Sequence, residues 1–244
     1  MAIYSRIQKA SKRIEGEIIM SVCMELQNVS KQFMGQTVLA DVSLAINRGT
    51  TIGLLGANGS GKSVLFKIIC GLIKPDSGRV FVDGSVLGDK SDFPSNIGVF
   101  INSPGFIGIY SGFKNLKFLA NIRGVIGDNQ IREAMCKVGL DPENKTKVDN
   151  YSLGMKQKLG LAQAIMENQE ILVLDEPFNA LDYQTYNDVK EFIYLLKTEG
   201  KTILLTSHNY DDIEQLCDVV YIIDNGKVVP VTKELIDKYF SRKS

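Results

Sequence analysis

Histidine, cysteine and long apolar runs are what this 244-residue chain has little of. The single histidine, His208, and four cysteines set far apart without a CxxC spacing (Cys23, Cys70, Cys136, Cys217) leave no ligand set for zinc. The cysteines read as buried thiols of a reducing compartment. Apolar runs such as ILVL before Asp175 and TILL after Lys201 are of strand length, far short of the roughly 18 to 20 residues that span a bilayer. A membrane, if this chain serves one, is served from outside the lipid. Excess charge of either sign is also missing: 28 Lys and Arg balance 28 Asp and Glu, so no basic field points to nucleic acid and no acidic tail to disorder. There is no internal repeat and no low-complexity segment. What is present is a 44% hydrophobic content, enough for a full core in one large or two small domains.

The first 19 residues stand apart. Ile3, Ile7, Ala10 and Ile14 share one helical face, with Arg6, Lys9, Lys12 and Arg13 elsewhere, the pattern of a short basic amphipathic helix. It suits a membrane surface or a partner, or it is an extension ahead of Met20 or Met24; no signal-peptide apolar core follows it. From Met24, MELQNV and VLADVSLAI alternate as antiparallel strands, and TIGLLG runs into a glycine-rich loop and an apolar helix over 62–72. Pro75-Asp76-Ser77-Gly78 has turn chemistry, and RVFVDG resumes as a strand. Residues 103–168 have helical periodicity in NLKFLANIRG, NQIREAMCKVG and LGMKQKLGLAQAIME, a helical insert between strands. ILVLD and TILLTS, separated by a helical stretch over Tyr183–Thr198, have the fully apolar character of parallel strands covered on both faces. VVYIIDNGKVV is a hairpin about Asn225-Gly226.

GANGSGKS, residues 56–63, fits G-x-x-x-x-G-K-[ST]. Its glycines let backbone N–H groups turn inward on phosphates, Lys62 reaches the β and γ oxygens, and Ser63 offers a hydroxyl to Mg²⁺. ILVLDEP supplies the acidic half of such a site: Asp175 at the carboxyl end of a buried strand for the metal, and Glu176 to polarise a water for in-line attack. The plainer alternative is an N-cap pair for the next helix. YSLGMKQKLGLAQAI, taken alone, is a helix opened by Ser152 as its cap.

Arriving in this order, these motifs resemble the ATP-binding subunit of ABC transporters over nearly everything from Met24 to Val231. The resemblance implies an α/β fold: a P-loop NTPase with a mixed, mostly parallel sheet, an antiparallel β subdomain and a helical insert over about 103–168. Residues 1–23 are then an extension, 24–231 the ATP-binding domain and 232–244 a short C-terminal helix or tail. It implies ATP and Mg²⁺ as ligands. Gly56, Ala57, Asn58, Gly59, Ser60, Gly61, Lys62, Ser63 and Val64 form the phosphate cradle, Asp175 and Glu176 end the Walker B strand, NALD with Asp182 is the D-loop, and TSH carries His208 as switch histidine beside the γ-phosphate. Phe33 stands where the family stacks an aromatic ring on adenine, or else is a core phenylalanine. Tyr151, Ser152, Leu153, Gly154 and Met155 match the signature loop, written YSLGM in place of LSGGQ, and would cover a nucleotide held by a second subunit. At the Q-loop position Asn102 replaces glutamine with a side chain one methylene shorter, so Asn102→Gln is expected to change the ATPase rate.

The implied partners are a second ATP-binding subunit, most simply a copy of this chain, and a separate transmembrane permease whose coupling helix lies against residues 102–116; a long surface loop is the alternative there. The implied location is cytoplasmic, peripheral on the inner face of the membrane, with no nucleic-acid partner. SPGFIGIYSGFKNLKFLA and YSLGMKQKLGLAQA are most similar to the bacitracin and lantibiotic resistance type of exporter ATPase. Two rival readings stay open: a soluble ABC-type ATPase acting on translation or DNA, and a non-hydrolysing, ATP-gated regulatory module.

Overall fold

The computed structural model describes residues 21–89, 93–101, 105–232 and 234. The amphipathic helix expected near the N-terminus, Asn102, and most of the helix or tail expected over 232–244 lie outside them.

The alternating segment near the start forms a long hairpin, β1 (Val22–Phe33) against β2 (Gln36–Asn47), so the sheet begins two residues ahead of position 24. Its turn is Met34-Gly35, with φ of 48° and 80°, both in the left-handed region that a two-residue type I′ turn needs. β4 (Ser77–Val82) and β5 (Ser85–Val86) complete an antiparallel sheet in the order β2-β1-β4-β5. Here the expected turn at 75–78 is corrected: Ser77 and Gly78 already belong to β4. Gly78 (φ +84°) lies opposite an irregularity in β1 between Gln27 and Ser30, where a Cβ would come within 2.4 Å of the Gln27 and Asn28 carbonyl oxygens. The glycine is there for close approach of two backbones, which a turn signature does not distinguish from a turn.

The second sheet has the order β10-β9-β3-β8-β7-β6, from β3 (Thr51–Leu55), β6 (Ile97–Phe100), β7 (Ile171–Leu174), β8 (Thr202–Thr206), β9 (Val219–Asp224) and β10 (Lys227–Pro230). Its pairs are parallel except the β9–β10 hairpin, turned by Asn225 and Gly226, both at positive φ. The period-2 alternation of its strands sorts into two cores. Ile52, Leu54, Ile171, Val173 and Leu204 face the antiparallel sheet and α1 (Lys62–Ile69). Leu172, Leu174, Ile203 and Leu205 face the other helices: α2 (Gly112–Arg123), α3 (Asp128–Lys137), α4 (Leu153–Ile165), α5 (Tyr183–Thr198) and α6 (Tyr210–Leu216). A parallel sheet covered on both faces must be apolar on both.

The helical insert is α2 to α4, lying between β6 and β7 in the chain. Gly98 fixes how closely it docks: a Cβ there would lie 1.9 Å from the Ala164 carbonyl oxygen of α4. The two sheets meet where the Ala40 N–H donates to the Gly226 carbonyl at 2.8 Å. Among the described residues no helix is long and apolar enough to cross a membrane.

Candidate functional site

Three neighbouring parallel strands, β3, β8 and β7, deliver the candidate residues from their carboxyl ends, where a parallel sheet leaves its binding crevice. From β3 the chain enters the glycine loop. Gly56, Gly59 and Gly61 have φ of 151°, 76° and 108°, so the loop's path depends on residues without a Cβ. α1 starts at once, with no side-chain cap and no acidic residue in its first turn. By contrast Ser111, Ser152, Asp182 and Asn209 cap α2, α4, α5 and α6 with their side chains. The N–H groups opening α1 are therefore left for an anion. Lys62 is buried and its ammonium donates to the carbonyls of Gly56 (2.9 Å) and Ala57 (3.3 Å), lying across the mouth of the loop. Burial lowers its pKa, against the pull of Glu176 and then Asp175. Ser60 Oγ is buried without a partner. A buried cation, an uncapped helix start and an orphan hydroxyl in one loop fit the phosphates of a nucleotide. Ser63 and Val64 follow on the first turn of α1, half-buried.

The acidic side is held by β8. Asp175 is 4% exposed and accepts a 2.8 Å hydrogen bond from Thr206 Oγ1, which itself accepts the Glu176 N–H at 2.8 Å. One hydroxyl thus fixes both carboxylate-bearing residues. The Asp175 N–H donates to the Phe100 carbonyl (2.7 Å) at the end of β6, the strand that leads to Asn102. Glu176 has φ 55°, a left-handed conformation uncommon for a residue with a side chain. His208 Nε2 lies 3.1 Å from Glu176 Oε1, a buried oxygen with no aligned hydrogen-bond donor. Burial pushes the Glu176 carboxyl above its usual range, opposed by His208 and Lys62 and reinforced by Asp175. The described residues contain no cluster of three His, Cys, Asp or Glu able to hold a metal by themselves. Ser63 and Asp175 carry the hydroxyl and carboxylate oxygens that Mg²⁺ takes as ligands.

The signature residues form a second, outward-facing feature. Ser152 is exposed and caps α4 by accepting the Met155 N–H at 3.1 Å; Leu153 is exposed, whereas Tyr151 and Gly154 are buried. Gly154 abuts α5, since a Cβ would meet the Thr185 side chain at 2.8 Å. Thr185 in turn donates through its N–H (2.9 Å) and hydroxyl (2.8 Å) to Asp182, the N-cap of α5, whose carboxyl pKa is lowered by those bonds. The start of α4 and the capped start of α5 therefore approach each other closely, a link that spacing did not suggest. Phe33 ends β1 and is 42% exposed with the Lys31 ammonium 5.4 Å from its ring centre, so it is not a core residue. Sequence reasoning also missed Thr206, legible only as the last residue of an apolar strand.

A groove between core and insert is lined by Lys67, Leu72, Phe93, Ile101, Leu119 and Arg123 among others. Among the described residues of the stretch 102–116 its lining includes Gly105 alone; Ile107 and Ile109 are more than half exposed.

Strand, glycine loop, uncapped helix and an acidic strand tip define a P-loop nucleotide hydrolase. The family model described as "ABC transporter" matches residues 39–179. The chain is 38% identical to the "Uncharacterized ABC transporter ATP-binding protein YybJ" of Bacillus subtilis (strain 168), over 88% of this chain and 99% of that protein. It is 37% identical to the "Bacitracin transport ATP-binding protein BcrA" of Enterococcus faecalis, over 87% of this chain and 70% of that one. Among solved structures it is similar to the "Dimeric Structure of MJ0796, a Bacterial ABC Transporter Cassette", with TM-score 0.74, 25% identity, 84% of this chain and 96% of that chain. The chain belongs to the ABC transporter family and is an ATP-binding, ATP-hydrolysing subunit of it.

Proposed function

We propose that two copies of this chain close around ATP and open on its hydrolysis, driving a permease made by another chain on the inner face of the membrane, with export of a peptide antibiotic or similar compound. The observation that carries this reading is the split site. The phosphate loop and acidic strand tips converge on one side, while the capped signature helix points its exposed Ser152 outward. A nucleotide cradled by one copy is then covered by the signature of the next, and the γ-phosphate, met from both sides, favours the closed pair.

Within each copy, Lys62 and the N–H groups opening α1 hold the phosphates, and Phe33 offers its exposed ring to the base. Mg²⁺, held through Ser63 and Asp175, would neutralise charge on the β and γ oxygens. Glu176 orients the attacking water and takes up its proton, and His208 faces the same carboxylate from β8. The apolar groove between core and insert suits a short helix of the permease, with Leu72 and Phe93 as exposed apolar contacts. The export reading rests on the likeness to the bacitracin-transport relative.

The test is to capture the Glu176→Gln protein with ATP from solubilised membranes and identify what accompanies it by mass spectrometry. A polytopic membrane protein supports the transporter reading. Ribosomal or DNA-bound partners alone would assign the same clamp to a different target.

A further inference from the structure

His208 sits in a frame that the catalytic reading does not use. Its two sequence neighbours are each tied to one buried cluster. Ser207 Oγ donates to Asp212 Oδ2 at 2.9 Å, and Asn209 Nδ2 reaches the Tyr186 hydroxyl at 3.4 Å. The Asn209 N–H also donates to Ser207 Oγ at 3.0 Å, closing the loop over His208. Asp212 is wholly buried, and it accepts from the Tyr186 hydroxyl and from Lys190 Nζ (3.0 Å) in addition to Ser207. A carboxylate removed from water persists only when its oxygens are satisfied, and here three donors do so.

Two of those donors come from α5. Tyr186 and Lys190 are one turn apart on it, and α5 begins at the Asp182 cap and at Thr185, the contact of Gly154. The cluster therefore joins the helix that carries the D-loop to the loop that carries His208.

We propose that Tyr186, Lys190 and Asp212 are positioning residues that hold His208 against Glu176 and transmit to it the placement of α5, so that hydrolysis responds to how the signature and D-loop are seated. This rests on the proposed role of His208. A rigid link of this kind acts through geometry: the imidazole must stay within about 3 Å of its partner to be effective. Moving α5 shifts Tyr186 and Lys190, and Ser207 and Asn209 follow through the buried carboxylate and the tyrosine hydroxyl.

The test is a double-mutant cycle between Tyr186→Phe and His208→Ala, read as kcat and KM for ATP. Tyr186→Phe keeps the ring that packs 5.4 Å from Phe178 and removes only the hydroxyl, leaving Ser207 and Lys190 as donors to Asp212, and a thermal midpoint checks that the fold is retained. In the otherwise unchanged protein kcat is expected to fall roughly tenfold, the scale of one lost hydrogen bond to a charged group, with KM unmoved. In the His208→Ala background the same change is expected to alter kcat less than about twofold, because the group it positions is gone. Equal losses in the two backgrounds, or no loss in the first, would overturn the proposal while leaving His208 its role. A His208→Ala protein as active as the parent would remove that role, and the proposal with it.

Discussion

Glu176 shows how a single side chain acquires its chemistry from its surroundings. Burial favours its neutral form, and His208 and Lys62 only partly offset this. A general base works deprotonated, so the acidic limb of the pH profile of kcat/KM is expected above the 4.5 of an ordinary glutamate, and absent in Glu176→Gln, which loses about 10²-fold or more in kcat. Linkage gives a second expectation with a defined sign. For an acid whose pKa is raised on folding, the stabilising contribution is fully present below the unfolded pKa and is lost as pH rises through the folded one. Glu176→Gln should therefore raise the thermal midpoint at neutral pH and leave it nearly unchanged below pH 4.5, a difference that calorimetry at two pH values would reveal. Asp175, Glu176 and His208 are legible in the sequence because their residue types are restricted by what they do. Thr206, which fixes two of them, is not, since a threonine ending an apolar strand is also ordinary strand chemistry.

At the scale of elements, junctions matter more than the elements themselves. α4 is set against β6 at Gly98, where a Cβ would meet main-chain atoms of Ala164 that cannot rotate away. Gly98→Ala is expected to destabilise the protein by about 1–3 kcal/mol or more, measurable in urea unfolding. Ser152 separates a structural effect from a functional one. Replacing it with alanine removes the cap of α4, a loss of about 1 kcal/mol. If Ser152 also meets a nucleotide across a dimer, ATP-dependent dimerisation of a Glu176→Gln, Ser152→Ala protein should weaken well beyond what that loss explains. Equal dimerisation by light scattering would confine Ser152 to capping. α1 to α5 were legible from periodicity, and the hairpin from its Asn225-Gly226 turn, whereas α6, only seven residues long, shows too few turns for a period to be read. Gly78 was misread because the φ > 0 that a turn needs is the same φ > 0 that a β-bulge needs.

For the whole molecule, the proposal that the permease docks in the groove between core and insert makes a prediction at an exposed residue of its lining. Leu72 is 51% exposed in its lining, and surface substitutions usually change stability by less than about 0.5 kcal/mol. Leu72→Asp is therefore expected to keep the thermal midpoint and to lose co-purification with the permease. Retained co-purification would place the permease elsewhere.

The order of motifs along the chain determined the class of protein, the sheet that carries the site and most residues at its strand tips, because phosphate binding and in-line hydrolysis restrict residue type and spacing. Tertiary structure decided what joins those residues: the Thr206 hydroxyl shared by two acids, the contact of Gly154 with Thr185, and the Asp212 cluster beneath His208. Gly154 meets Thr185, and Thr206 meets two acids, across about thirty residues of chain, while Asp212 meets Tyr186 and Lys190 across 26 and 22, all through packing and hydrogen bonds between common residue types. No local pattern records which threonine or aspartate will meet which partner, since only the folding of β7 and β8, and of α4 and α6 against α5, brings them together.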